Sequence, residues 1–169
     1  MATNAQYLAS LVNSSGNIVI PVANGGIVFN NTNTTASPTS TTQNDYETGT
    51  WTPVSTGGSG VTFSSVNTSY TKVGRLVYIM CDVTFSSNSS NASAQISGLP
   101  FTVLTSMFSG ATLAYYNGSN TNPFNSTYLV YNNTNYIDIR LVDDTGGNRT
   151  YAQLSGQRII LTATYQASF

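Results

Sequence analysis

Val77-Tyr78-Ile79-Met80-Cys81-Asp82-Val83-Thr84-Phe85 places Val77, Ile79, Cys81, Val83 and Phe85 on one parity and Tyr78, Met80, Asp82 and Thr84 on the other. A period of two over that length marks a β-strand with one face in a core, because successive side chains leave a pleated strand on opposite sides. The same reading extends outward. Ile137, Ile139 and Leu141 alternate with Asp138 and Arg140, which would share an outer face and pair. Ile159, Leu161, Ala163 and Tyr165 alternate with Ile160, Thr162 and Thr164 in a closing strand. Shorter strand candidates are 60–64, 69–73, 92–97, 111–117 and 126–131. Gly57-Gly58, Ser97-Gly98, Asn117-Gly118 and Gly146-Gly147 punctuate them with turn chemistry. No helical stripe of useful length is present. The expectation is an all-β protein, with a β-sandwich or jelly-roll-like domain over residues 45–169.

Composition agrees with folded β-structure. Charged residues make up 7% of the chain, against about 25% in an ordinary globular domain. Such low charge often accompanies disorder, but disordered chains also lack aromatic and β-branched residues. This one has 11 Tyr and 7 Phe, which suit a pleated, half-buried surface. The five basic residues, Lys72, Arg75, Arg140, Arg149 and Arg158, are scattered and the net charge is −1. Nucleic-acid binding needs clustered Lys and Arg to neutralise phosphates, so no nucleic-acid partner is expected. No run approaches the roughly 20 apolar residues of a membrane span, so no membrane partner is expected. Met1 to Ser15 has neither a basic region nor a continuous apolar stretch, and does not read as a signal peptide. Synthesis in the cytoplasm, with no export step of its own, is the expectation.

Residues 1–44 read differently. Residues 1–30 carry strand-sized apolar pieces broken by glycines and Pro21, too short to form a core alone. Residues 30–44, NNTNTTASPTSTTQN, read as a linker. Together they suggest an extended N-terminal arm whose Leu8, Leu11, Val12, Ile18, Ile20, Ile27 and Phe29 contact neighbouring subunits or the surface the protein sits on. Within the domain, Leu76, Met80, Val142 and Ile160 fall opposite the core face. Monomers avoid large exposed apolar patches, so these second faces are expected to pack in a homo-oligomer.

Little in the chain suggests catalysis. Histidine is absent, which removes the commonest general base and the usual Ser-His-Asp triad. Cys81 is the only cysteine, so intrachain disulfides and cysteine clusters are impossible, and its strand pattern suggests a buried thiol. No phosphate loop or CxxC occurs, and no cofactor or metal is expected. A carboxylate pair for glycoside cleavage is the remaining route, through Asp45 with Glu47 or Asp143 with Asp144. Asp143-Asp144-Thr145-Gly146-Gly147-Asn148 reads as a hairpin turn, with calcium binding as the alternative. Asp45 and Glu47 read as polar residues of the domain's first strand. Tyr115, Tyr116, Phe124, Tyr128 and Tyr131 are candidates for core, interface or sugar platform.

Asn44-Asp45-Tyr46-Glu47-Thr48-Gly49-Thr50-Trp51-Thr52-Pro53 resembles the DYE-x-GTWTP segment of virion-surface proteins of tailed bacteriophages, of the tail-fibre and decoration type. Other pieces follow in the same order: Gly25-Gly26-Ile27-Val28-Phe29, Tyr70-Thr71-Lys72-Val73-Gly74-Arg75-Leu76-Val77, Ile96-Ser97-Gly98-Leu99-Pro100-Phe101 and Thr162-Ala163-Thr164-Tyr165. Residues 102–150 match nothing in that family's pattern. The resemblance implies a homotrimer on the phage particle and supplies no catalytic residues. Tyr46 and Trp51 are expected to anchor the linker's end onto the domain. The arm, extended at about 3.3 Å per residue, would reach up to about 150 Å. That length suits a capsid decoration or cement protein laced to the major capsid protein. The alternative is a short tail fibre or fibre tip, partnered by tail components and by a host surface glycan or receptor through loops such as 117–125. A polysaccharide hydrolase is the third.

Overall fold

The computed structural model describes residues 14, 27–28, 42–43, 45–57, 60–117, 126–141 and 147–168. The chain divides into two compact units, Met1–Tyr46 and Glu47–Phe169. In the first, β1 (Ile27–Val28) pairs antiparallel with β2 (Thr42–Gln43), Ile27 opposite Gln43 and Val28 opposite Thr42. Leu8, Leu11, Val12, Ile18, Ile20 and Phe29 lie outside the described residues, and Ile27 is described by its backbone alone.

The second unit is all-β, and its first strand begins one residue early, at Tyr46. Its strands are β3 (Tyr46–Gly49), β4 (Phe63–Val73), β5 (Leu76–Phe85), β6 (Gln95–Ser97), β7 (Ser109–Tyr116), β8 (Ser126–Val130), β9 (Tyr136–Leu141) and β10 (Arg158–Gln166). They form one eight-stranded sheet in the order β3-β4-β5-β10-β7-β8-β9-β6. The sheet curls into an antiparallel half-barrel, so inner faces from its two halves meet across a single core, as in a sandwich. Val77, Ile79, Val83 and Phe85 of β5 meet Ile159 and Leu161 of β10, Ile137 and Ile139 of β9 and Ile96 of β6, all fully or nearly fully buried.

The central strands follow the sequence pattern because each has one clean apolar parity. Two shorter candidates, 60–64 and 69–73, belong to one eleven-residue strand, β4. The register against β5 shifts between Ser64 and Asn67, and this irregularity breaks the alternation that would have joined them. Leu76, Met80 and Ile160 lie on the outer face as expected, with Leu76 exposed; Val142 lies outside the described residues. The Asp143–Asn148 turn is likewise mostly outside them, but Arg140 bridges antiparallel to Asn148 on either side of it. Asp138 and Arg140 do meet on the outer face, with Arg140 Nε 3.7 Å from Asp138 Oδ2. Among the described residues no helix is long and apolar enough to cross a membrane.

Candidate functional site

The segment following β3 leaves its own end of the sheet and reaches the far end. Val54 pairs with Ser97 of β6 by two backbone hydrogen bonds, Val54 N to Ser97 O at 3.0 Å and Ser97 N to Val54 O at 2.8 Å. β3 and β6 are the outermost strands of the sheet order, so residues 51–56 act as a strap that ties the half-barrel's two ends.

Trp51 fixes the start of this strap. It is 7% exposed and belongs to the core. Its backbone N–H donates to Thr68 Oγ1 at 3.2 Å, and the same hydroxyl donates back to the Trp51 carbonyl. Thr68 lies on the inner face of β4 opposite Cys81, so one side chain satisfies a backbone donor and acceptor that would otherwise be buried unpaired. The Trp51 indole N–H is buried with no hydrogen-bond partner among the described residues. Tyr46, by contrast, is 66% exposed and contributes nothing to the core, because it heads the edge strand β3.

Tyr151 fixes the strap's other end. Its hydroxyl receives the N–H of Thr56 at 3.0 Å and of Gln95 at 3.1 Å. The carbonyls of Gln95 and Thr56 stand 2.9 and 3.1 Å away as acceptors. A phenol carries one proton and so serves one carbonyl at a time. Burial pushes the Tyr151 hydroxyl up from its ordinary range, while the bonds to the Gln95 and Thr56 backbone oppose the shift. Beside the strap lies an open groove of about 360 Å³ lined by Pro53, Val54, Ser55, Val61, Thr62 and Phe63.

The separate sequence motifs converge here. Gly49 packs on the Tyr70 ring so closely that a Cβ would sit 2.8 Å from Tyr70 Cε1. Tyr70 meets Phe101 edge-on at 5.4 Å, and Lys72 Nζ lies 5.1 Å from the same ring's centroid. Tyr165 of the closing strand donates its hydroxyl to the Phe101 carbonyl at 3.1 Å. Gly98, with φ of +86°, backs directly onto the Thr52 carbonyl. The segments that carry Gly49 and Thr52, Tyr70 and Lys72, Gly98 and Phe101, and Tyr165 are therefore in mutual contact.

The other candidates are dispersed. Tyr128 is buried, with its hydroxyl pushed up to about 12 by burial, then by Tyr116. Tyr116 donates to Gln157 Oε1. Tyr131 stacks on Tyr136 at 5.8 Å and meets Phe108 edge-on. Tyr115 is exposed beneath the Arg158 guanidinium. Phe124, Asp143 and Asp144 lie outside the described residues. Two carboxylates within the domain have structural partners: Asp82 takes Arg158, and Asp138 takes Gln95 Nε2 at 2.9 Å. Cys81 is buried, its thiol pushed up to about 12 by burial and then by the Asp82 charge. Among the described residues no three His, Cys, Asp or Glu side chains gather as metal ligands would.

No protein-family model matches the chain, and no curated protein matches it. Among solved structures it is similar to the crystal structure of the Dettilon tailspike protein (gp208), at 18% sequence identity and a TM-score of 0.59. The likeness covers 73% of this chain and 24% of that one, so the chain spans about a quarter of the tailspike's length. At this identity the likeness is one of fold.

Proposed function

We propose that this chain is a structural protein of the surface of a tailed-bacteriophage particle, with no catalytic role. The observation that carries this reading is the shared fold of its β-domain and part of a phage tailspike. The ordered DYETGTWTP, YTKVGRLV, ISGLPF and TATY segments, of which the last three meet at Phe101, add to it. The non-catalytic reading rests on a sequence without histidine, the commonest general base.

In its finer form the chain is a homotrimeric decoration protein, held to the capsid by residues 1–44, with residues 45–169 as its knob domain. A second reading is favoured by the tailspike likeness itself: a short tail fibre or fibre tip facing the host surface. Immunogold labelling of intact particles, with copy number from quantitative mass spectrometry, separates the two. Gold over the head at hundreds of copies supports decoration; gold at the tail at a few tens supports the fibre. Absence from purified particles removes both. Catalysis is tested separately with Asp45→Asn and Glu47→Gln, which should leave any glycan-cleaving activity of the particle unchanged.

A further inference from the structure

The outer face of β7, β8, β9 and β6 carries three aromatic residues in one row. Phe108, just before β7, meets Tyr131 edge-on at 5.2 Å, and Tyr131 stacks on Tyr136 at 5.8 Å. Tyr136 lies opposite Ser97 of β6. There the row ends, because Ser97 is buried and its hydroxyl bonds to that of Thr56 in the strap. Phe108 is 53% exposed, beside an exposed Met107.

Two turns shape the row's open end. Met107 N–H donates to the Leu104 carbonyl at 3.2 Å, closing a turn that holds Ser106 at φ +66°. The turn between β8 and β9 holds Asn133 at φ +51°. Among the described residues these are the non-glycine positions of positive φ, and the two turns touch: Thr105 Oγ1 donates to Asn133 Oδ1 at 3.5 Å. Such backbone is costly without glycine, and it gathers where a binding geometry is held. Two residues along β9 from Tyr136, Asp138 accepts from Gln95 Nε2 at 2.9 Å. Two further on, Arg140 Nε stands 3.7 Å from Asp138 Oδ2 and donates to Asn148 Oδ1 at 3.2 Å. At about 3.3 Å per residue, Arg140 lies about 13 Å from the ring row on the same face.

We propose that this face is a binding site for a neutral polysaccharide, with one pyranose against Phe108 and Tyr131 and its neighbour over Asp138, Gln95 and Arg140. A pyranose has an apolar C–H face and a rim of hydroxyls that both donate and accept, so it meets rings and polar side chains together. A purely apolar partner would cover the Thr105 hydroxyl and the Asn133 and Asn148 amides without replacing their water. Two polar contacts on the face are long, 3.5 Å for Thr105 with Asn133 and 3.7 Å for Arg140 with Asp138. A good bond is about 2.9 Å, so ligand hydroxyls displace these contacts at little cost. The row is also short, bounded by the Ser106 turn and the strap, whereas a stable protein interface covers about 800 Å² on each partner. The inference deepens the fibre reading and rests on it for its setting, while the binding itself is measured on the chain apart from any particle.

The test is affinity electrophoresis of the full-length chain through gels containing dextran, mannan, galactan or rhamnan. Wild type should be retarded by at least one of them. Phe108→Ala and Tyr131→Ala each remove one ring and should raise the dissociation constant about tenfold with the far-UV β spectrum kept. Asn133→Gly keeps the left-handed backbone, removes the amide and should weaken retardation as well. Tyr115→Ala, at an exposed ring at the other end of β7, should change nothing. A wild type that runs freely in all four gels overturns the proposal. So does retardation that both ring variants leave intact. A row that instead drives self-association, seen in light scattering as a mass that falls in Phe108→Ala, with no retardation, is a protein contact and also overturns it. Should Tyr131→Ala misfold, Phe108→Ala decides, because that ring is more than half exposed. The fibre reading fails separately, by absence of the chain from particles, whatever these gels show.

Discussion

Gly98 and Thr52 pack backbone against backbone: a Cβ on residue 98 would stand 2.3 Å from the Thr52 carbonyl oxygen. The contact joins two segments 46 residues apart in the chain, immediately beside the Val54–Ser97 pairing that ties the sheet's ends. Gly156 has a similar backbone, φ +72°, but open space where its Cβ would go. Gly156→Ala should therefore cost only the left-handed conformation, about 1–2 kcal/mol. Gly98→Ala adds a clash with backbone that cannot swing aside, and should exceed about 4 kcal/mol in urea unfolding.

Thr68 gives a milder test of the strap. Thr68→Val keeps the shape but strips the Trp51 backbone of both its partners, which should cost about 1–3 kcal/mol. Thr68→Ser should recover most of this. Trp51 is the chain's single tryptophan, so its emission reports directly on whether the strap is seated. Trp51→Ala should cost about 3–5 kcal/mol through the cavity it leaves.

Removing the Tyr151 hydroxyl leaves two N–H groups and two carbonyls to find other partners. Tyr151→Phe should lower stability by about 1–3 kcal/mol with the β spectrum unchanged. Faster hydrogen exchange at the Thr56 and Gln95 amides would localise the effect.

The Asp82–Arg158 pair makes a pH-dependent prediction. The Arg158 hydrogen bond, reinforced by its charge and partly opposed by burial, holds the Asp82 carboxyl below the usual carboxylate range. Since the folded pKa lies under the unfolded one, the contribution is fully present above about pH 4 and is lost as pH falls through the folded value. Asp82→Asn should thus lower the melting temperature at pH 7, and the gap from wild type should narrow as the pH falls below about 4.

Cys81 should resist thiol reagents at pH 8 in the folded chain and react fully in denaturant. Burial keeps the thiol protonated far above neutral pH, and only the thiolate is reactive.

The strands legible in the sequence are those with one clean apolar parity, β5, β9 and β10. Elsewhere the pattern misleads for identifiable reasons. Lys72 lies on the core face of β4, where its charged end meets the Phe101 ring, and periodicity alone would never place a lysine inward. Asp82 sits on the outer face yet is mostly covered, because Arg158 from the next strand folds over it. The strap and the Tyr151 turn carry no period at all. Their positions are set by side-chain to backbone bonds across 17 and 95 residues, which no local window contains. The ordered motifs could be quoted from the sequence, but that three of them meet at Phe101 could not be read there. Tyr46 and Trp51, five residues apart, were expected to act together; the edge strand between them leaves one exposed and the other buried.

The strap also orders events during synthesis. Residues 51–56 leave the ribosome before any of their lasting partners: Thr68 follows soon, Ser97 some forty residues later, and Tyr151 nearly a hundred later. Until then the strap's backbone groups and Trp51 have nowhere to bury, and the young domain carries an unfinished rim. The first part of the domain to be made is thus among the last to be locked. A nascent chain halted before residue 151 should be markedly more open to protease around Trp51 than the finished protein.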